Sequence, residues 1–162
     1  MKNNYILLIL TLLLTSLTFT GCVSSSEGQM RSLNKSQEAS NSPTRFTKTV
    51  SNNKYDTYGE TWAGTPGQSV TTGAKQLRSD IFNMLEKNCG LKPSQLVQTR
   101  IVSQKSPEFR EVWVFKDPLS KRKDGLSGLS ITLKQLPNNN GVDFVINGEC
   151  HASAPMTFTF GK

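Results

Sequence analysis

The sequence holds few of the residues on which enzyme chemistry depends. Its 162 residues include one histidine and twelve acidic side chains. A hydrolase needs a nucleophile, a base and an orienting group held together, yet no Gly-x-Ser-x-Gly surrounds Ser153, which follows His151 closely. No His-Glu-x-x-His motif and no glycine-rich phosphate loop is present either. A histidine can act as a base or a pH sensor, but His151 is interpreted first as an incidental residue at a strand end. We therefore expect no enzyme and no cofactor.

Long apolar runs are confined to the beginning of the chain. Lys2 precedes an almost unbroken apolar run over residues 5–19. Because a membrane span needs roughly 20 apolar residues, this shorter run is typical of an export signal. The ending Phe19-Thr20-Gly21-Cys22 resembles the lipobox of bacterial lipoproteins, with Phe19 where that pattern more often has leucine. An uncleaved transmembrane helix and a secretory signal with a free Cys22 are the two alternatives.

The lipobox resemblance implies a compartment and an anchor. It implies that residues 1–21 are a signal peptide, that cleavage precedes Cys22, and that this cysteine carries diacylglycerol and an N-acyl chain such as palmitate. One acyl chain gives marginal membrane binding, whereas two or more anchor firmly. In lipoproteins of Gram-negative bacteria, an aspartate after the cysteine commonly favours the inner membrane. Because Val23 stands there, the expected location is the outer membrane, facing the periplasm.

The charge balance and the remaining cysteines narrow the partners and sites. Loss of Lys2 with the signal peptide changes the formal charge from +7 to +6. Outside the cytosol, a basic protein is expected to meet anionic lipid or an acidic protein rather than nucleic acid. In an oxidising compartment, the even pair Cys89 and Cys150 predicts a disulfide. Two thiols and His151 are one ligand short of a closed zinc site, so we expect no metal.

Residues 22–54 are predicted to be the lipidated cysteine and a flexible tether. Polar residues dominate this segment, and Phe46 is its only aromatic residue. Such a segment buries too little apolar surface to offset the entropy of ordering it. A flexible chain of this length reaches about 30 Å. The folded domain is then expected to occupy residues 55–162.

The first part of the expected domain is rich in aromatic and turn-forming residues. Tyr55, Tyr58 and Trp62 stand among glycines and prolines over residues 55–68. Aromatic rings need burial or a partner. The segment is interpreted either as an irregular arm that packs its rings onto the domain or as an exposed aromatic patch for docking.

The remaining sequence predicts an α+β fold. Residues 69–88 form one amphipathic helix in this prediction, capped by Ser69 and ended by Gly90. Its apolar face is expected to hold Val70, Ala74, Leu77, Ile81, Met84 and Leu85. The apolar period then changes to two in five segments, 96–102, 109–115, 129–134, 142–147 and 156–160, with a hairpin turn over 137–141. We expect the helix to lie across a four- to five-stranded antiparallel meander, pinned by the disulfide.

One cluster of positive charge points to a partner. Residues 116–125 contain Lys116, Lys121, Arg122 and Lys123. They are either an ordinary solvated connection or a patch that steers an acidic partner or touches anionic lipid. We therefore expect a lipid-anchored, periplasm-facing binding protein that captures another protein, as secretion-system accessories, entry-exclusion proteins and toxin-neutralising immunity proteins do.

Two other functions remain open at this point, as does the oligomeric state. A lipid or small-molecule carrier predicts an apolar pocket between helix and sheet, lined by Trp113, Phe115, Phe144, Phe158 and Phe160. An enzyme would require His151 to lie in a cleft beside an acid or a hydroxyl group.

Overall fold

The computed structural model describes residues 25–162 and shows an α+β fold with two antiparallel sheets. Its elements in chain order are α1 (Ser26–Ala39), β1 (Thr44–Ser51), β2 (Tyr55–Trp62), β3 (Thr65–Pro66), α2 (Lys75–Cys89), β4 (Leu96–Lys105), β5 (Glu108–Lys116), β6 (Leu126–Gln135), β7 (Val142–Asn147) and β8 (Thr157–Gly161). The predicted signal peptide and Cys22 lie outside the described residues. Within those residues, no helix is long and apolar enough to cross a membrane.

The larger sheet has five strands in the order β3-β4-β5-β6-β7, and α2 packs on one face of it. This confirms the α+β class and the antiparallel sheet beside the helix. A contiguous group of buried side chains joins the two layers: Ile81, Phe82, Leu85, Leu91, Trp113, Phe115, Leu129, Ile131 and Leu133. Each such side chain contributes about 1.5–3 kcal/mol when it leaves water. The opposite face of β5 buries Val112 and Val114, which explains the unbroken apolar run of that strand.

Helix α2 begins later than predicted and buries only part of the predicted face. Residues Val70–Gly73 form a 3₁₀ turn, and the α-helix starts only at Lys75. Ile81 and Leu85 are buried as predicted, whereas Met84 is 43% exposed and Phe82 is buried in its place. The predicted end is confirmed, because Gly90 adopts the left-handed conformation with φ of 68°.

The smaller sheet has three strands in the order β1-β2-β8, with α1 packed on it. The predicted tether is therefore wrong over residues 26–51, which form a helix and a paired strand, and the folded unit begins before residue 55. β8, expected in the meander, pairs with β2 instead, and β3 is the fifth strand of the larger sheet.

The ordering of this segment depends on distant partners. Met30 and Phe46 bury their side chains against Tyr58, with Phe158 and Phe160 packed alongside. Counting apolar residues within the segment alone misses these contacts. Polar residues also contribute, because the Asn34 amide bonds both the backbone N–H and the carbonyl of Phe46, at 2.7 and 2.9 Å.

The predicted disulfide joins Cys89 to Cys150, whose Cα atoms are 5.0 Å apart. It ties the end of α2 to the segment that follows β7. The predicted hairpin between β6 and β7 is also confirmed. Its turn uses positive φ at Asn138 (59°) and Gly141 (114°), which asparagine and glycine tolerate best.

Candidate functional site

The basic loop, residues 116–125, connects the antiparallel strands β5 and β6 at one end of the larger sheet. Lys116, Lys121 and Lys123 are all exposed. Leu119 is also exposed, to 66%. The loop thus presents apolar surface among cations.

A buried carboxylate holds the base of the basic loop. Asp117 is 2% exposed, and its Oδ1 accepts the backbone N–H of Leu119 at 2.9 Å. Its Oδ2 accepts the Ser127 hydroxyl at 2.6 Å and lies 3.0 Å from Nδ1 of His151. The backbone N–H of Lys121 donates to the carbonyl of Ala152 at 2.8 Å. The loop is therefore fixed against the segment that the disulfide also holds.

The protonation state of Asp117 follows from these contacts. Burial acts to raise the pKa of this carboxyl, but hydrogen bonds from Ser127, His151 and the Leu119 amide outweigh burial and leave the pKa below its usual value. The group is ionised at neutral pH and can only accept hydrogen bonds. Nδ1 of His151 consequently carries the proton that lies between the two side chains.

The Asp117–His151 pair resembles part of a hydrolytic site, but each neighbouring hydroxyl donates its hydrogen bond to a carboxylate. Ser127 donates to Asp117, and Ser153 donates to Glu149 at 2.7 Å. The bond from Ser153 also lowers the pKa of Glu149. Within residues 25–162, no cluster of three or more His, Cys, Asp or Glu side chains is arranged to hold a metal. The pair holds the base of the basic loop through the contacts of Asp117.

Arg122 differs from the other cations of the loop because its side chain turns inward. Its guanidinium carbon lies 4.3 Å from the ring centroid of Trp62, and the side chain is only 10% exposed. Asp124 lies 3.5 Å from its Nε. Gly128 makes this stack possible, because a Cβ at that position would approach the Trp62 ring to 2.6 Å. The sequence grouped Arg122 with the exposed lysines, whereas in the structure its side chain packs inward against Trp62.

Trp62 and Arg122 line a cleft of about 450 Å³ between the two sheets. The end of α1, the start of β1, the end of β2, the basic loop and the segment after β7 all line it, through Gln37, Ser42, Thr44, Glu60, Trp62, Arg122, Gly148 and Met156 among others. We call this space the cleft.

The acids of the cleft accept hydrogen bonds from neighbouring groups, whereas two other polar atoms form none. Glu60 accepts the Thr44 hydroxyl and the backbone N–H of Met156. By contrast, Oε1 of Gln37 and Nε of Arg122 are buried and form no hydrogen bond with the described residues, although Nε lies 3.5 Å from the Asp124 carboxylate. Buried polar atoms without partners cost free energy. Arg122 and Gln37 therefore place a guanidinium and an amide in the wall of the cleft.

The structure separates the predicted aromatic residues. Tyr58 is 4% exposed in the core of the smaller sheet, Tyr55 is 38% exposed at the start of β2, and Trp62 lies in the cleft. They do not form one exposed patch, and the packing interpretation holds for Tyr58. The irregular arm is instead the regular strand β2.

The apolar pocket expected for a carrier is not formed by the predicted residues. Trp113 and Phe115 are fully buried against α2, while Phe158 and Phe160 pack in the other cluster with Phe46. The five aromatic side chains expected to line it belong to two separate packed groups within the described part of the chain.

Sequence reasoning missed Asp117, Glu60 and Gln37 as parts of the site. Asp117 precedes a proline at the end of a strand, which indicates a turn. Nothing in the sequence shows that it meets His151, which lies 34 positions away.

Comparison with known proteins adds no relative. No family model matches the chain, and no curated protein or solved structure matches it significantly.

Proposed function

We propose that this protein is a lipid-anchored, periplasm-facing binding protein of the bacterial envelope, which captures another protein through the basic loop and the cleft. The observation that carries the proposal is the fixed geometry of the loop. A buried Asp117 holds it in place while Lys121 and Lys123 remain exposed beside a cleft that Arg122 and Gln37 line. A surface that is already ordered loses less conformational entropy when it binds.

The charge of the loop indicates the chemistry of the partner. Exposed lysines attract an acidic surface and accelerate its approach. Leu119 provides apolar area that a partner would remove from water. Inside the cleft, the guanidinium of Arg122 suits a carboxylate, and Oε1 of Gln37 suits an N–H donor. An acidic segment of a protein carries both groups.

The anchor is part of the same proposal. Acyl chains on Cys22 would hold the protein at the outer membrane, and the Cys89–Cys150 disulfide is typical of an oxidising compartment such as the periplasm. We propose a role without catalysis, because the carboxylates and hydroxyls near His151 bond one another. Secretion-system accessories and toxin-neutralising immunity proteins are among the kinds of lipoprotein that this role fits.

The volume of the cleft favours one second candidate. Pockets for small molecules measure about 300–1,000 Å³, and the cleft falls within that range. A small-molecule carrier would use the cleft between the sheets rather than the apolar space beneath α2.

Capture from envelope extracts tests the proposal with matched charge reversals. The Lys121→Glu/Lys123→Glu double variant should lose at least about tenfold in affinity for the captured protein, since each cation near an acidic surface contributes about 1 kcal/mol. Lys75→Glu/Lys87→Glu reverses two exposed lysines of α2 and should bind normally.

Equal capture by both double variants would contradict the role of the basic loop, and capture of no specific protein by the native chain would contradict the protein-binding role. A small molecule that copurifies, is seen by native mass spectrometry and is lost in Arg122→Gln would then favour the carrier.

A further inference from the structure

We propose that the folded domain stands upright on the membrane: the tip of the β1–β2 hairpin, residues 50–55, contacts an anionic lipid surface, and the cleft faces away from it. This inference rests on the proposed lipid anchor at Cys22. It replaces the predicted arrangement, in which a long flexible tether lets the domain move freely.

The segment between the lipidated Cys22 and the start of α1 is short. The Ser25 side chain accepts the backbone N–H of Gly28 and caps α1, which begins at Ser26. Only Val23 and Ser24 separate Cys22 from this cap. Because each residue extends at most about 3.6 Å, the cap lies within about 11 Å of the lipidated cysteine. The first turn of α1 is consequently held at the membrane surface.

Pairing between α1 and β1 shows which end of the domain is nearest. Asn34 bonds to Phe46, and the later residue Gln37 bonds to the earlier residue Thr44. The helix therefore runs antiparallel to the strand, and the start of α1 lies toward the end of β1. The hairpin tip is at this end. The last turn of α1 and the start of β1 line the cleft, about 20 Å farther away at 1.5 Å per helical residue.

The hairpin tip has the side chains that favour a lipid surface. Val50 is 45% exposed and Tyr55 is 38% exposed, although both side chains are largely apolar. Tyrosine is enriched where membrane meets water. Lys54 is exposed in the turn between them. Apolar area, an aromatic ring and a cation therefore occupy one tip.

Charges around the tip are mainly positive. Asp56 is buried and pairs with both Lys48 (3.2 Å) and Lys162 (3.1 Å), so two cations surround one acid. On the first turns of α1, Glu27 is followed by Arg31. Together with Lys54, these residues give four cations and two acids. Each excess cation near anionic lipid contributes about 1 kcal/mol.

The proposed orientation has a functional consequence. The basic loop and the cleft would face the periplasm, where a soluble partner or the exposed part of an envelope protein can reach them. The tip would be unavailable to that partner because lipid covers it.

Lysine footprinting of the full mature lipoprotein tests the orientation. Protein in vesicles that contain phosphatidylglycerol is acetylated briefly and compared with the same protein in neutral detergent micelles. Lys54 should react about fivefold more slowly in the vesicles. Lys123, another exposed lysine, lies in the basic loop; it is the internal control and should react at the same rate in both. Vesicles of phosphatidylcholine alone should give weaker protection of Lys54.

The outcomes separate this inference from the proposed function. Equal reactivity of Lys54 and Lys123 in protein that floats with the vesicles would overturn the orientation alone, and so would protection of Lys123 instead. Protein that does not float would overturn the lipid anchor and the orientation together.

Discussion

The two sheets of this protein reach stability by different means. The larger sheet buries nine side chains between itself and α2, and a disulfide closes it. The smaller sheet buries three, and threonine and asparagine side chains bond its strands and α1. A regular apolar pattern in the sequence predicts a layer such as the larger sheet with α2. The smaller sheet is assembled from short apolar pieces at both ends of the described chain, so its order depends on long-range contacts.

Removing the disulfide should have the largest effect, and it acts on the larger sheet. The Cys89→Ser/Cys150→Ser double variant opens a loop of about 60 residues, which in the chain-entropy model lowers the free energy of unfolding by roughly 4 kcal/mol. Urea denaturation measures the change. Reduction of the native protein is the control and should give a similar loss; equal stability with and without reductant would contradict the prediction.

Met30→Ala tests whether the smaller sheet is a true folded layer. Met30 is 3% exposed in α1, so its truncation should lower the free energy of unfolding by about 2–4 kcal/mol. Leu33→Ala on the same helix removes a 39% exposed side chain and should cost less than about 1 kcal/mol. If both variants unfold in urea like the native protein, residues 26–51 are a tether after all.

His151→Ala sharpens the comparison at the junction between the sheets. The variant removes one hydrogen bond to the ionised Asp117, but water can replace the 37% exposed ring. We expect a loss of about 1 kcal/mol in unfolding free energy and faster hydrogen exchange at the Leu119 amide. Ser153→Ala, which leaves Asp117 untouched, is the control. Unchanged exchange at Leu119 in His151→Ala would show that the histidine does not hold the loop.

Acidification should affect the smaller sheet through Asp56. Hydrogen bonds from Ser51, Lys162 and Lys48 outweigh burial and lower the pKa of this carboxyl from 3.8 to about 2. A lowered pKa means that the stabilisation is complete above the unfolded value and is lost as the pH falls from about 4 toward 2. Thermal melts between pH 5 and pH 2 measure this loss. Asp56→Asn should melt lower at pH 5 and show a flatter pH dependence.

The larger sheet could be predicted from the sequence because its main strands have their own apolar patterns, an alternation in most of them and an unbroken run in β5. The Asn-rich turn and Gly90 also carry their conformations locally. The disulfide could be predicted from an even pair of cysteines in a chain whose first residues resemble an export signal. Local patterns of this kind are sufficient when neighbouring segments pair with each other.

The smaller sheet and the cleft could not be predicted, for a related reason. The polar strand β1 pairs with β2, which in turn pairs with β8 at the far end of the chain. Arg122 and Trp62 meet across 60 positions, and their contact depends on the space that Gly128 leaves. No local period encodes such contacts.

Mass spectrometry of the intact protein, extracted from the membranes of a Gram-negative host, tests most directly the claim that an ordered binding domain begins beside a lipidated cysteine. The account predicts a chain that starts at Cys22, carries three acyl chains and has no free thiol. A chain that starts at another residue, or an unmodified Cys22, would contradict it.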